Sequence, residues 1–224
     1  VTKRKLAHFA ENLTFTHLFQ FPGMEMAKSF PMKGKWKEHF FHNDKPITLE
    51  LGCGKGEYTV NLALQDPERN YIGVDIKGAR LWKGCKSVQE MGLTNVAFIR
   101  TKIELIGYFF DRDEIDEIWL TFPDPQPKAS REMKRLSSPV FLEKYRSITA
   151  PGAVIHLKTD NDALYHYTLG VVAEHRHKLL FFSDDIYKLE KPHPATAIQT
   201  FYEAKYQKEG IPIKYAEFIL RDES

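Results

Sequence analysis

Four acidic residues stand at or near the ends of apolar runs in this chain, and they are the groups with which it could do chemistry. Glu50 lies inside Ile47-Thr-Leu-Glu-Leu51, two residues ahead of Gly52, with Gly54 and Gly56 following. Asp75 closes Tyr71-Ile-Gly-Val-Asp75, Asp124 sits in Phe122-Pro-Asp-Pro-Gln-Pro-Lys128, and Asp160 comes two residues after the run Ala153–Lys158. The three glycines let the backbone turn sharply after a buried strand and pass close to a ligand before a helix begins.

The acids indicate which ligand that turn holds. A dinucleotide site brings a pyrophosphate onto a helix N-terminus, and Glu50 would repel it. An ammonium would be attracted, so the expected cofactor is cationic. S-adenosyl-L-methionine meets that demand with an amino-acid ammonium, a sulfonium and no phosphate. The stretch Glu50-Leu-Gly-Cys-Gly-Lys-Gly56 resembles the first motif of the Rossmann-like methyltransferases, and Asp75, 21 residues after Gly54, is placed to hold both ribose hydroxyls. The competing reading is a glycine turn of another α/β protein, with Asp75 as a helix cap. Glu50 argues against a nicotinamide dehydrogenase.

The acceptor should meet Asp124. Three prolines in five residues stiffen its loop and fix where the carboxylate points. Methylation of an exocyclic amine often uses an Asn-Pro-Pro-aromatic loop, which the sequence lacks. Methylation of a pyrimidine carbon needs a thiolate, yet Cys53 lies in the glycine turn and Cys85 in a predicted helix. Guanine N7 has a free lone pair and no proton to lose, so an enzyme acting there needs mainly alignment of donor and acceptor. One carboxylate can accept both guanine N1–H and the N2 amine, and it also stabilises the positive charge that N7 gains. Asp124, Asp160 and Glu203 are candidates for that work. Their structural alternatives are a turn cap at Asp124, a helix N-cap at Asp160 and an ordinary exposed helix face at 200–203.

The elements that must position these groups become regular from Pro46. Strands are predicted over 47–51, 71–75, 96–100, 115–122, 153–158, 178–183 and 213–220. Helices are predicted over 57–65, 78–91, 139–148, 161–175 and 198–208, with a helical turn over 103–110. This alternation predicts a Rossmann-like, doubly wound α/β fold with a mainly parallel sheet and an antiparallel last strand; ligands in such folds bind beyond the carboxyl ends of the strands. The domain is expected over 46–224. Residues 1–45 read as a basic N-terminal arm and docking segment, with eight Lys or Arg against four acids and with Trp36, Phe40 and Phe41 among lysines.

A chain of 224 residues, 42% hydrophobic, suits one such domain with an appendage. No apolar run approaches the roughly 18 residues of a membrane span. Two cysteines form neither a disulfide framework nor a four-ligand zinc site, which points to a reducing, cytoplasmic setting. His175 and His177 lack the spacing partners of a metal site, so no metal is expected. The net charge is only +2, but basic residues gather in 1–45 and again in 126–146, which suggests a polyanionic partner.

At this point the resemblance becomes specific. Glu50-Leu-Gly-Cys-Gly, Asp75, Phe122-Pro-Asp-Pro with Lys128, Lys134-Arg-Leu followed by Pro139 and Phe141-Leu142, Thr159-Asp160, and Thr200-Phe-Tyr-Glu203 followed by Gly210 are similar to the bacterial tRNA (guanine-N7)-methyltransferase family. The resemblance runs from the first predicted strand to the C-terminus. It implies methyl transfer from S-adenosyl-L-methionine to N7 of guanosine 46 in the variable loop of tRNA. By the same resemblance Glu50, Gly52, Gly54, Asp75 and a residue near Thr101 or Glu104 bind the cofactor, and Asp124 contacts it and acts in the active site. Lys128, Asp160 and Thr200, Tyr202 and Glu203 hold the tRNA, and Arg135 meets phosphate. The chain departs from the family where Gln126-Pro-Lys-Ala-Ser-Arg131-Glu-Met133 replaces a more basic run, so Ser130, Arg131 and Met133 carry no family role. A methyltransferase of a protein or small molecule and a catalytically silent RNA-binding protein are the rival readings. Either a monomer or a homodimer is compatible with the fold.

Overall fold

The computed structural model describes residues 3–221; residues 1, 2 and 222–224 and the side chains of Lys3 and Arg4, part of the expected basic arm, lie outside the described residues. Eight strands form one sheet: β1 (Leu18–Gln20), β2 (Ile47–Leu51), β3 (Asn70–Asp75), β4 (Val96–Arg100), β5 (Ile115–Thr121), β6 (Thr149–Thr159), β7 (Lys178–Ser183) and β8 (Lys214–Ile219). The helices are α1 (Lys3–Glu11), α2 (Met24–Lys28), α3 (Glu57–Gln65), α4 (Gly78–Met91), α5 (Pro139–Arg146), α6 (Asp162–Glu174) and α7 (Phe201–Lys208). The strand order is β1-β4-β3-β2-β5-β6-β8-β7. β8 runs antiparallel to both β6 and β7, whereas the other pairings are parallel. The doubly wound fold with its antiparallel last strand is therefore as the alternation predicts.

Parallel strands covered on both faces read as continuous apolar runs, and every residue of β2 and β3 is buried. The chain winds outward from β2 in two directions, through β3 on one side and β5 on the other. The strand order thus reverses between β2 and β5, and the crevice for a ligand opens beyond their carboxyl ends. At the start of α3, Gly56 has φ +70°, and a Cβ there would come within 2.6 Å of the Phe98 ring and 3.2 Å of Gly84. This close approach packs α3 against α4 and fixes the glycine turn above β2.

The first 45 residues read as irregular because their elements are only three to nine residues long. β1 adds a parallel strand beyond β4 at the sheet edge. Trp36 is wholly buried, stacks on Phe110 and donates its indole N–H to Phe109 O at 2.9 Å. The Glu114 carboxylate accepts the backbone N–H groups of Gly34, Trp36 and Asp111. On the other side, α1 lies on α4: His8 stacks on Trp82, and Glu11 accepts Trp82 Nε1–H at 2.6 Å and pairs with Lys86 at 2.9 Å.

Candidate active site

The glycine turn and two acids form the first wall. Gly54 has φ +58°, a conformation that suits glycine, and no atom stands within 4 Å of where its Cβ would be. Glu50 is 2% exposed. One of its oxygens accepts both the backbone N–H of Thr59 at 2.9 Å and the Thr59 hydroxyl, and the other accepts the Thr121 hydroxyl at 2.5 Å. Burial pushes the Glu50 carboxyl above the usual range, and these donors oppose the shift. Asp75 ends β3 and accepts Gly54 N–H at 3.0 Å and Lys77 N–H at 2.7 Å, which ties the second acid to the turn.

A cavity of about 230 Å³ opens here, with Glu50, Gly52, Gly54 and Tyr58 on one side, Thr121 and Phe122 at the end of β5, and Thr200, Phe201 and Tyr202 opposite. The donor set fits S-adenosyl-L-methionine. Glu50 uses three of the roughly four acceptor positions of a carboxylate, leaving one for an ammonium, and Gly54 leaves the turn open beside it. Among the described residues no group of three or more His, Cys, Asp or Glu side chains could hold a metal ion, and no helix is long and apolar enough to cross a membrane.

The Asp124 loop projects from the tip of β5. Phe122 and Gln126 both take left-handed φ values, 46° and 45°, which cost on the order of 1–2 kcal/mol each for non-glycine residues. One Asp124 oxygen accepts Gln126 N–H at 3.0 Å; the side chain is otherwise exposed. Arg135 lies behind the loop, with Nε donating to Pro125 O at 3.3 Å, Nη2 donating to Gln126 O at 3.4 Å, and the guanidinium 4.3 Å over the Tyr167 ring. Arg135, the predicted phosphate contact, is half-buried and braces the proline loop. Lys128, Ser130, Arg131 and Met133 are exposed on or beside the 3-10 turn Ala129–Lys134.

The opposite wall is the start of α7. Thr200 and Glu203 make a reciprocal capping box, and Phe201 N–H donates to Glu57 Oε1 at 3.1 Å. Phe201 and Tyr202 are 66% and 52% exposed. Glu203, in contrast, is wholly buried and 2.5 Å from Lys158 Nζ, and it accepts the Tyr187 hydroxyl at 2.7 Å. Burial pushes the Lys158 ammonium below the usual lysine range, and Glu203 opposes that shift. Asp160 stays half-exposed at the end of β6, because the cap of α6 is Asn161, whose side chain accepts Leu164 N–H at 2.8 Å.

Glu50, Gly52, Gly54, Thr200 and Tyr202 therefore share one cavity, Asp75 joins it through Gly54, and Asp124, Lys128 and Asp160 lie on the segments that leave β5 and β6. Thr101 and Glu104 do not line it. The Thr101 hydroxyl is buried and donates to Phe21 O at 2.9 Å, and Glu104 is exposed on the 3-10 turn Ile103–Tyr108. The sequence reading passed over Thr59, Thr121 and Lys158. Lys158 carried a signal, a lysine at the end of the mainly apolar run Ala153–Lys158, whereas nothing local distinguishes the two threonines.

Residues 44–216 match a family model described as "Putative methyltransferase". The chain is 50% identical to the tRNA (guanine-N(7)-)-methyltransferase of Christiangramia forsetii over 98% of this chain and 99% of the relative. It is 44% identical to the protein of that name from Bacteroides fragilis, over 99% of this chain and 87% of that one. In fold it is similar to the 16S rRNA methyltransferase KamB, with a TM-score of 0.63 at 14% identity, covering 84% of this chain and 93% of that one. With half its residues shared across nearly the whole of both chains, this chain belongs to the tRNA (guanine-N7)-methyltransferase family.

Proposed function

We infer that the cavity between the glycine turn and α7 is where the methyl donor and the target guanosine meet. The activity is tRNA guanine-N7 methylation, and the donor is S-adenosyl-L-methionine, which supplies an electrophilic methyl on its sulfonium. Glu50 holds the donor's ammonium with its remaining acceptor position, and Asp75 holds the ribose hydroxyls. Asp124 spends one of its roughly four acceptor positions on its own turn and offers the rest to guanine N1–H and the N2 amine, where its charge offsets the one N7 gains. Asp160, uncommitted to a cap, is the second acid in reach of the base. Lys128 meets phosphate. The target is guanosine 46 of the variable loop, and a tRNA substrate fits a cytoplasmic enzyme.

The observation that carries this reading is the pairing of Glu50 with Thr121, which joins the donor acid to the strand bearing the Asp124 loop. The test is to incubate the protein with labelled S-adenosyl-L-methionine and an unmodified tRNA transcript, then map label by cleavage specific for N7-methylguanosine. Label at guanosine 46 is expected. Label at another guanosine would displace the variable-loop assignment, and label at another atom would overturn the assignment of Asp124.

A further inference from the structure

Lys158, a wholly buried cation beside the cavity wall, is spent on one segment. Lys158 Nζ, at the carboxyl end of β6, reaches Glu203 Oε1 at 2.5 Å, Ala195 O at 2.6 Å and Ile198 O at 3.0 Å. An ammonium has three donors, and the three acceptors all belong to the stretch that runs from Ala195 into the first turn of α7. The rings of Tyr58 and Tyr187 lie 5.4 and 5.9 Å from the charge, and the Tyr187 hydroxyl donates to the same carboxylate. Glu203 in turn accepts Thr200 N–H through its other oxygen. Nothing in this arrangement leaves the Glu203 carboxylate turned towards a base.

We propose that Lys158 and Glu203 are positioning residues, a buried latch that sets where Thr200, Phe201 and Tyr202 stand against the cavity, and that Glu203 does not itself hold the guanine. A plain helix cap would not need a lysine from the strand beneath it. Two polar backbone atoms and one carboxylate drawn to a single ammonium fix both ends of the 195–203 segment at once. Phe201 and Tyr202, the exposed rings at its tip, then form a stable wall for the acceptor. The proposal rests on the reading that this cavity receives the tRNA guanosine.

The test compares the parent with Lys158→Met, Glu203→Gln and the double variant. The single lysine change leaves a buried carboxylate uncompensated and can unfold the chain, whereas replacing both charges by neutral groups of similar shape is often tolerated. Four quantities are read: the melting temperature, the S-adenosyl-L-methionine dissociation constant, kcat and KM for tRNA, and amide hydrogen exchange over 195–203. The double variant should stay folded and bind the donor within about twofold of the parent. Its kcat/KM for tRNA should fall by about tenfold or more, as expected for a displaced binding wall, and the 195–203 amides should exchange faster. A double variant with parental tRNA kinetics, one that loses donor and tRNA binding together, or one that cannot fold would make the pair a core element and overturn the proposal. If the parent itself fails to methylate tRNA, the functional reading falls, and exchange at 195–203 still decides whether the latch orders the segment.

Discussion

The Thr121 hydroxyl donates to Glu50 Oε1 at 2.5 Å, joining the last residue of β5 to the acid of β2. The next residue, Phe122, takes a left-handed φ and turns the chain into the Asp124 loop. The acid assigned to the donor and the loop assigned to the acceptor are therefore one hydrogen bond and three residues apart. In a reaction governed by alignment, this one hydrogen bond ties the position of the donor acid to that of the acceptor loop.

Glu50 makes the first prediction. Glu50→Gln keeps the shape but removes the charge, and it puts an amide donor where one hydroxyl, that of Thr59 or of Thr121, donates. The S-adenosyl-L-methionine dissociation constant should rise by about ten- to hundredfold, the loss expected for a hydrogen bond to a charged group. Thr121→Val leaves one buried Glu50 oxygen without its donor and should cost about 1–3 kcal/mol of unfolding free energy. Calorimetric titration and urea denaturation measure the two effects; unchanged donor affinity in Glu50→Gln would remove Glu50 from the cofactor site.

Asp124 is tested by separating binding from transfer. Asp124→Ala should lower kcat by about a hundredfold or more, the scale for losing one preorganised electrostatic partner of the transition state. Donor affinity should fall by a smaller factor, through loss of the contact to the cofactor that the resemblance implies. Single-turnover transfer of label to tRNA reads the first and calorimetry the second, and a variant with normal turnover would exclude the residue from the reaction.

The parts legible from the sequence were those whose signal is local. The apolar run 47–51, the alternation from 57 to 100 and the helix over 78–91 were placed at the observed bounds or within a residue of them, because periodicity and glycine punctuation act within a few residues. β1 and α1 were missed because their stability comes from partners far along the chain, β4 for one and Trp82 for the other. In the site the acids were legible as types and their partners were not. That Glu203 faces Lys158 follows from β6 lying beneath α7, a pairing that no spacing encodes, and Arg135 reads as any surface arginine until Pro125 and Tyr167 are seen beside it.

Arg135 and Lys128 should differ in their response to salt. Lys128 is exposed, so Lys128→Ala should weaken tRNA binding and reduce the slope of log K against log salt by about one, as for the loss of one phosphate contact. Arg135 braces two loop carbonyls, so Arg135→Ala should lower kcat and leave that slope nearly unchanged. Filter binding from about 50 to 200 mM salt distinguishes them. A slope reduced equally by both substitutions would mean that Arg135 meets phosphate as Lys128 does.

Acid stability should depend on Glu117, away from the cavity. Its carboxylate accepts the Thr48 hydroxyl at 2.8 Å and Trp119 Nε1–H at 3.0 Å, and it lies 3.1 Å from Arg69 Nη2 and 2.8 Å from His156 Nε2. Burial alone would raise its pKa, but His156, Arg69 and Thr48 outweigh it and hold the carboxyl at about 2. A folded pKa below the unfolded one means that the unfolded chain binds the proton more readily. The stabilisation is therefore complete above about pH 4.5 and is lost as pH falls from there towards 2. Its size is on the order of 3 kcal/mol and is shared with the groups around it. Glu117→Gln should accordingly be less stable than the parent near pH 6, with the gap closing as pH approaches 2. Urea denaturation across that range measures the gap, and a constant difference at every pH would mean that Glu117 contributes by packing and not by charge.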